Sequence, residues 1–490
     1  MDTNISFDEC QKQVRDPIRF TRAEWLALLG AMICAAGYVF LHPGIFTSGN
    51  LLFPGIGLTF STWLMLAICM GYIGWRRLNW NAQSIFLLAA SLLLSASYGI
   101  FSNNALRYMN FPILVVLCIL SIYALKYGKP LLAFRELVIL ISRATCNTFR
   151  NFPVPAFALK DLFKSGEKRY IKEFLMGLAI CIPIIGVVLL LLCDADSIFG
   201  NMINFLLKDL RHPSAGILLW NLIRLLILVL LLFGFVYGIN RHQPRAETCS
   251  KKLSLPMITA ATLLAFMSIV YAVFVYIQCK YLFAGNSSVL SAGGYAEYAR
   301  SGFFQLVAVA FITLSIVLPL LIALPDSRCL RLLGAFVAAM TMVIIFSAFW
   351  RMRLYISEFG LTFLRALTLW GMLAISAAII ATLAKAIKPQ IPIFRALFIF
   401  TICTWLLFNY CNVSKRIVEY NVSAYNSGIL ETIDLDYLRN MGPEACSAFD
   451  MLRSENQLSC EDMGKVIQYR RDILQNKPAI YDWSLSWLKL

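Results

Sequence analysis

The chain has 490 residues, of which 59% are hydrophobic and only 14% charged, with a formal net charge of +16. A mean hydropathy of +0.71 and apolar residues gathered in long runs rather than stripes exclude a water-soluble fold and point to a polytopic, all-α bundle in a lipid bilayer. The positive charge lies in short loops between apolar runs, with no basic recognition helix or zinc-finger spacing, so it argues for cytoplasmic loops and against nucleic-acid binding.

Residues 1–22 carry both signs of charge and precede a span-length run with no small-residue cleavage site after it, which reads as a cytoplasmic segment before an uncleaved signal anchor. Crossing about 30 Å of hydrocarbon takes about 20 apolar residues. On that rule eleven spans are expected, Ala23 to Leu41, Leu51 to Gly74, Ser84 to Phe101, Tyr108 to Leu125, Phe174 to Cys193, Ala215 to Tyr237, Leu255 to Tyr276, Phe303 to Leu324, Leu332 to Trp350, Ala366 to Leu383 and Ile391 to Cys411. They divide the chain into four spans (23–125), a basic cytoplasmic segment (126–173), seven further spans (174–411) and a polar terminal domain (412–490). Pro54, Pro112, Pro183 and Pro256 mostly lie near span ends, and no internal repeat is evident.

Lysine and arginine alternate in abundance from loop to loop. Arg76, Arg77, the segment from Lys126 to Lys172, Arg241, Arg245, Lys251, Lys252, Arg328, Arg331, Lys385 and Lys388 fall on one side. The other side holds only Arg107, Lys208, Arg211, Lys280, Arg300, Arg351 and Arg353. Positive-inside retention then places the N-terminus inside and the C-terminus outside a cytoplasmic membrane. Within the basic segment, Leu131 to Arg143 and Ala156 to Lys164 read either as helices lying on anionic head groups or as a linker draped on the surface.

The outside terminal domain has eleven Asp and Glu against nine Lys and Arg. Helical patterning runs from Val413 to Tyr425 and from Glu461 to Leu474, with Gly428 and Gly442-Pro443 as breakers. The fourteen cysteines are scattered singly with no C-x-x-C. Cys446 and Cys460 alone share the outer domain, as a bridge or as two thiols.

Motifs for nucleotide binding, zinc proteolysis, the serine elbow and dinucleotide binding are absent, and His42, His212 and His242 stand apart in sequence. Catalytic residues, metal ligands and a cofactor are therefore not expected. Gly234 and Gly238 form a G-x-x-x-G in the sixth span, for which packing inside the chain is favoured over dimerisation. Asn286, Asn412 and Asn421 head N-x-S sequons, read as chance occurrences. Ionisable groups at membrane depth are the more informative signal. Asp194, Asp196, Arg224, Glu297, Arg300, Arg351, Arg353, Glu358 and Arg365 all map near the outer face. They are expected to form either interhelical ion pairs or a polar pocket for an ion, a head group or a polar solute.

Tyr295-Ala-Glu-Tyr-Ala-Arg300-Ser-Gly-Phe-Phe resembles a marker of uncharacterised bacterial membrane proteins, the domain-of-unknown-function type numbered four-one-five-three and four-one-seven-three. Asp194 to Phe199, Arg353 to Arg365, Asn412 to Tyr425 and Asp434 to Leu438 look like the same group, in the same order. The resemblance implies a bacterial multi-span protein and supplies no catalytic residue. It singles out Glu297, Arg300, Arg353 and Arg365. Three functions remain: a non-enzymatic envelope protein that senses, binds or regulates, which is favoured; a transporter or channel for an ion or polar solute; and an enzyme acting on lipid-linked substrates. The expected partners are the bilayer and anionic head groups, not nucleic acid, with protein partners open.

Overall fold

The computed structural model describes residues 20–40, 55–128, 134–155, 157, 215–241, 256–278, 280, 303–324, 327–443, 446, 452, 460–475 and 484. Among them the long elements are all helical: α1 (Arg22–Phe40), α2 (Ile56–Ile73), α3 (Ala82–Ile100), α4 (Asn104–Tyr127), α5 (Phe134–Arg150), α6 (Ala215–Arg241) and α7 (Met257–Gln278). They continue as α8 (Phe303–Ala323), α9 (Arg328–Phe359), α10 (Phe363–Ile387), α11 (Ile393–Tyr410), α12 (Val413–Asn426), α13 (Leu435–Arg439) and α14 (Cys460–Gln475). Ten of them, α1 to α4 and α6 to α11, are long and apolar enough to cross a bilayer. A helix satisfies its own backbone, which lipid cannot do for it. The protein is a polytopic helical membrane protein. The expected fifth span, the second interfacial stretch from residue 158 onward and the three histidines lie outside the described residues.

Two compact units are built from these helices. One comprises residues 1–88, 115–128 and 138–244, the other 89–114, 129–137 and 245–490.

In the first unit α1 opens with a capping box: Thr21 N donates to Glu24 Oε2 at 2.7 Å, and Glu24 N to Thr21 Oγ1 at 3.3 Å. Phe20 packs on Phe233 and Tyr237 of α6, with centroids 5.3 and 6.1 Å away. The carbonyl end of α4 is closed from the α2–α3 connection. Asn79 N donates to Leu125 O at 2.6 Å, Asn79 Nδ2 to Lys126 O at 2.7 Å, and Asn81 Nδ2 to Gly128 O at 3.1 Å. Lys126 Nζ and Tyr127 OH both donate to Ile239 O of α6. The glycine pair of α6 lies against α5: a Cβ on Gly234 would sit 2.6 Å from Thr148 O, and one on Gly238 3.0 Å from Asn151 Nδ2. The G-x-x-x-G thus serves close packing within the chain. Helix α5 continues past the expected Arg143, and its part in this unit leaves Val138 and Phe149 exposed, as Phe134 is at its start in the other unit.

The second unit has apolar seams between α7, α8, α9 and α10, with Leu264, Val317, Leu321, Leu330 and Val337 in one cluster and Phe303, Ile344, Ala348, Met352 and Met372 in another. Pro112 and Pro319 stand inside α4 and α8, where each removes an amide donor. A polar knot is buried within the apolar bundle: Asn110 Nδ2 donates to Asn409 Oδ1 at 2.6 Å, and Trp405 Nε1 to Asn110 Oδ1 at 2.8 Å. Paired in this way, the amides avoid the penalty of bare polar groups in an apolar bundle.

The terminal module has its own small core. Val418 and Val422 of α12 meet Leu435 and Leu438 of α13, Val466 and Ile473 of α14, and Cys446. The side chain of Cys460 lies outside the described residues. Gly428 and Gly442 stop their helices at φ +72° and +73°, values that suit glycine because it has no Cβ.

Candidate functional site

The site begins where α9 ends. This helix has 32 residues, about 48 Å at 1.5 Å per residue, against about 30 Å of hydrocarbon. Sequence alone puts Arg351, Arg353 and Glu358 in a connection between spans. They are instead a helical continuation of α9, which meets no breaker before Gly360.

Gly360 turns at φ +76° and ψ 177°. Thr362 then caps α10, its Oγ1 accepting from Arg365 N at 3.4 Å. Arg365 reaches back over the turn. Its Nη1 donates to Phe359 O at 2.8 Å and also to Gly360 O. Its guanidinium lies 4.2 Å from the centre of the Tyr355 ring and 5.9 Å from that of Phe359. A cation set on the exposed carbonyls of a helix C-terminus is favoured by hydrogen bonding and by the helix dipole, and the aromatic faces add to it.

The terminal module closes on the same turn. Leu361 N donates to Asn421 Oδ1 at 2.7 Å and Asn421 Nδ2 donates to Leu361 O at 2.8 Å, so one amide side chain satisfies both backbone groups of one residue. Asn421 is 7% exposed. Two residues on, Phe363 N donates to Tyr437 OH at 2.7 Å. Tyr437 is positioned by Asp434, whose Oδ1 accepts from Tyr437 N at 2.9 Å and caps α13. Burial pushes the Tyr437 phenol above its ordinary range, opposed by the bond from Phe363 and the charge of Arg365. Asn412 begins α12 in the left-handed region at φ +48°, its Oδ1 accepting from Lys415 N at 3.2 Å.

The remaining candidates fall as follows. Arg351 is 7% exposed and its Nη2 lies 3.5 Å from Gln278 Oε1 of α7, an oxygen that also accepts from Ser347 Oγ at 2.8 Å. Arg353 is exposed, over the Trp350 ring at 5.8 Å. Glu358 is exposed on the other side of α9. Arg224 belongs to the other unit, on α6, where Nη1 donates to Asn221 Oδ1 at 3.3 Å. Asp194, Asp196, Glu297 and Arg300 lie outside the described residues.

Asn421 and Tyr437 carry the junction, yet charge reasoning selects neither, and motif reasoning takes Asn421 only as the head of a chance N-x-S sequon. Both occur within the stretches that resemble the family, and for Tyr437 that is the only signal. Their partners lie 60 and 74 residues away, beyond the reach of any local pattern. The junction offers paired backbone groups, a capped turn and an arginine. These are the means of holding a module on a turn. Among the described residues, no three His, Cys, Asp or Glu side chains gather as metal ligands.

No curated protein and no solved structure matches the chain significantly. The family described as "Domain of unknown function (DUF4153)" matches residues 64–452, which take in most of the spans, the junction and the first part of the terminal module. With about four fifths of its length matched, the chain belongs to that family.

Proposed function

We propose that the protein is a non-enzymatic sensing or binding protein of the bacterial cytoplasmic membrane, in which the terminal domain 412–490 engages a ligand and passes its occupancy to the spans. One observation carries this reading: the module has its own core and yet is hydrogen-bonded, through Asn421 and Tyr437, to the turn between α9 and α10. The bonds give a strain on the module a route to that turn, and both attached helices are long and apolar enough to cross a bilayer. The distribution of lysine and arginine supports a cytoplasmic N-terminus and an external module. Helix α5 supports a contact with anionic head groups at the inner leaflet. Phe134, Val138 and Phe149 form an exposed apolar stripe, and Arg143 and Arg150 lie on the opposite face.

Hydrogen exchange on the full chain in nanodiscs tests the coupling. Asn421→Ala is expected to leave the spans protected while raising exchange at the far ends of α9 and α10, near Arg328 and Lys385. Unchanged exchange there removes the coupling. Uptake of an ion or polar solute by proteoliposomes replaces the sensor with the transporter alternative.

A further inference from the structure

Between α9 and α10 lies a cavity of about 620 Å³, lined by Met342, Phe346 and Phe349 on one helix and Leu369, Leu373 and Ser376 on the other. Ser376 is its one hydroxyl, and that group already donates to Met372 O at 2.8 Å, so nothing in the groove calls for a polar solute. Phe346 and Leu373 on its walls are 53% and 51% exposed. The groove therefore opens sideways, at the depth of the spans, towards acyl chains.

Its end nearer Gly360 differs in character. Arg353 follows Phe349 by four residues, roughly one helical turn, on the same stripe of α9. Helical side chains lean back towards the N-terminus, which carries the guanidinium over the mouth of the groove. Its position over the exposed Trp350 ring, at 5.8 Å, agrees with that direction. An arginine beside a tryptophan at the edge of the hydrocarbon is where phosphate groups lie. Among the described residues of α9 and α10, the other charges at this end are Arg351, directed to Gln278, Arg365, set on the Phe359 and Gly360 carbonyls, and Glu358, about 140° around α9 from Arg353. Of these described charges Arg353 is the one on the stripe of the groove, and Glu358 faces elsewhere.

We infer that the groove binds one acyl chain of an anionic phospholipid of the leaflet nearer Gly360, with Arg353 holding the phosphate. This site is separate from the junction and does not depend on the sensing role. A second copy of the chain fits less well. A two-fold contact through this face would bring two Arg353 side chains to the same depth, whereas a lipid supplies apolar volume and negative charge together.

The experiment measures lipid retention and thermal stability of the purified full chain with phosphatidylglycerol, with phosphatidylcholine, or with inorganic phosphate. Phosphatidylglycerol is expected to be retained and to raise the Tm more than phosphatidylcholine does. Arg353→Gln, an exposed substitution, should cut that preference about fivefold. Ser376→Phe should fill the groove and remove retention while Arg353 stays; if it fails to fold, Leu373→Trp at the exposed rim makes the same test. Equal stabilisation by the two lipids overturns the inference, as does a preference that survives Arg353→Gln. Full stabilisation by inorganic phosphate alone makes this a free-anion site and also overturns it. So does conversion of a dimer to a monomer by the groove-filling variant, which makes the occupant a second copy.

Discussion

A Cβ placed on Gly360 would stand 2.6 Å from Asn421 Oδ1, so the absence of a side chain at one residue is what lets the other reach the Leu361 backbone. Gly360→Ala meets two penalties at once. The backbone is at φ +76° and ψ 177°, a region kept almost wholly to glycine that costs an alanine about 1–3 kcal/mol, and displacing Asn421 leaves buried amide groups unpaired at about 1–3 kcal/mol. The expected result is release of the terminal module before the spans melt, read by limited proteolysis of the full chain in detergent as temperature rises.

Arg365 is expected to tolerate no conservative replacement. Its Nη1 donates to two carbonyls while its guanidinium lies on Tyr355, and a lysine offers a point charge without that plane. Arg365→Lys should destabilise the module and Arg365→Met should destabilise it further, by about 1–3 kcal/mol in all, read as a fall in the module's Tm. Equal stability of the lysine variant and the wild type would show that charge alone suffices.

Alkaline pH should loosen the same junction. The folded-state pKa of Tyr437 is raised by burial, so the folded form retains the phenol proton more tightly than the unfolded chain. Its contribution is complete below the ordinary phenol pKa of about 10 and is lost as pH rises through the higher folded value. Unfolding of the module measured across that window should therefore be steeper in pH for the wild type than for Tyr437→Phe, which has no proton to lose.

The α6 glycines should differ in sensitivity. A methyl at Gly234 meets the fixed backbone oxygen of Thr148 at 2.6 Å, and one at Gly238 meets the movable Asn151 amide at 3.0 Å. Alanine brings about 1 kcal/mol of helix propensity to either position. Gly238→Ala is expected to be near neutral and Gly234→Ala destabilising, as compared by thermal unfolding of the two variants.

The spans were legible because lipid imposes a single rule on every backbone group, and a run such as 303–324 satisfies it without reference to any neighbour. The terminal helices were legible for a similar local reason. Patterning over 413–425 and 461–474 marks α12 (413–426) and α14 (460–475), and Gly428 and Gly442 punctuate them. The junction was not, because its decisive partners are backbone groups. Arg365 stands out as a charge and invites a search for a carboxylate, but its acceptors are the Phe359 and Gly360 carbonyls. Gly360 itself passes as one small residue among many until its φ is known. Arg353 could be placed near the membrane edge by counting, whereas the groove it overlooks exists only once α9 and α10 lie side by side.

The unusual extent of α9 makes it a ruler. Because the stretch from Arg351 to Phe359 is unbroken helix, inserting one residue there would lift the turn at Gly360 by about 1.5 Å and swing it about 100°. Asn421 and Tyr437 would then face the wrong side of it, so the height and azimuth of the terminal module are encoded in how many residues separate it from the lipid.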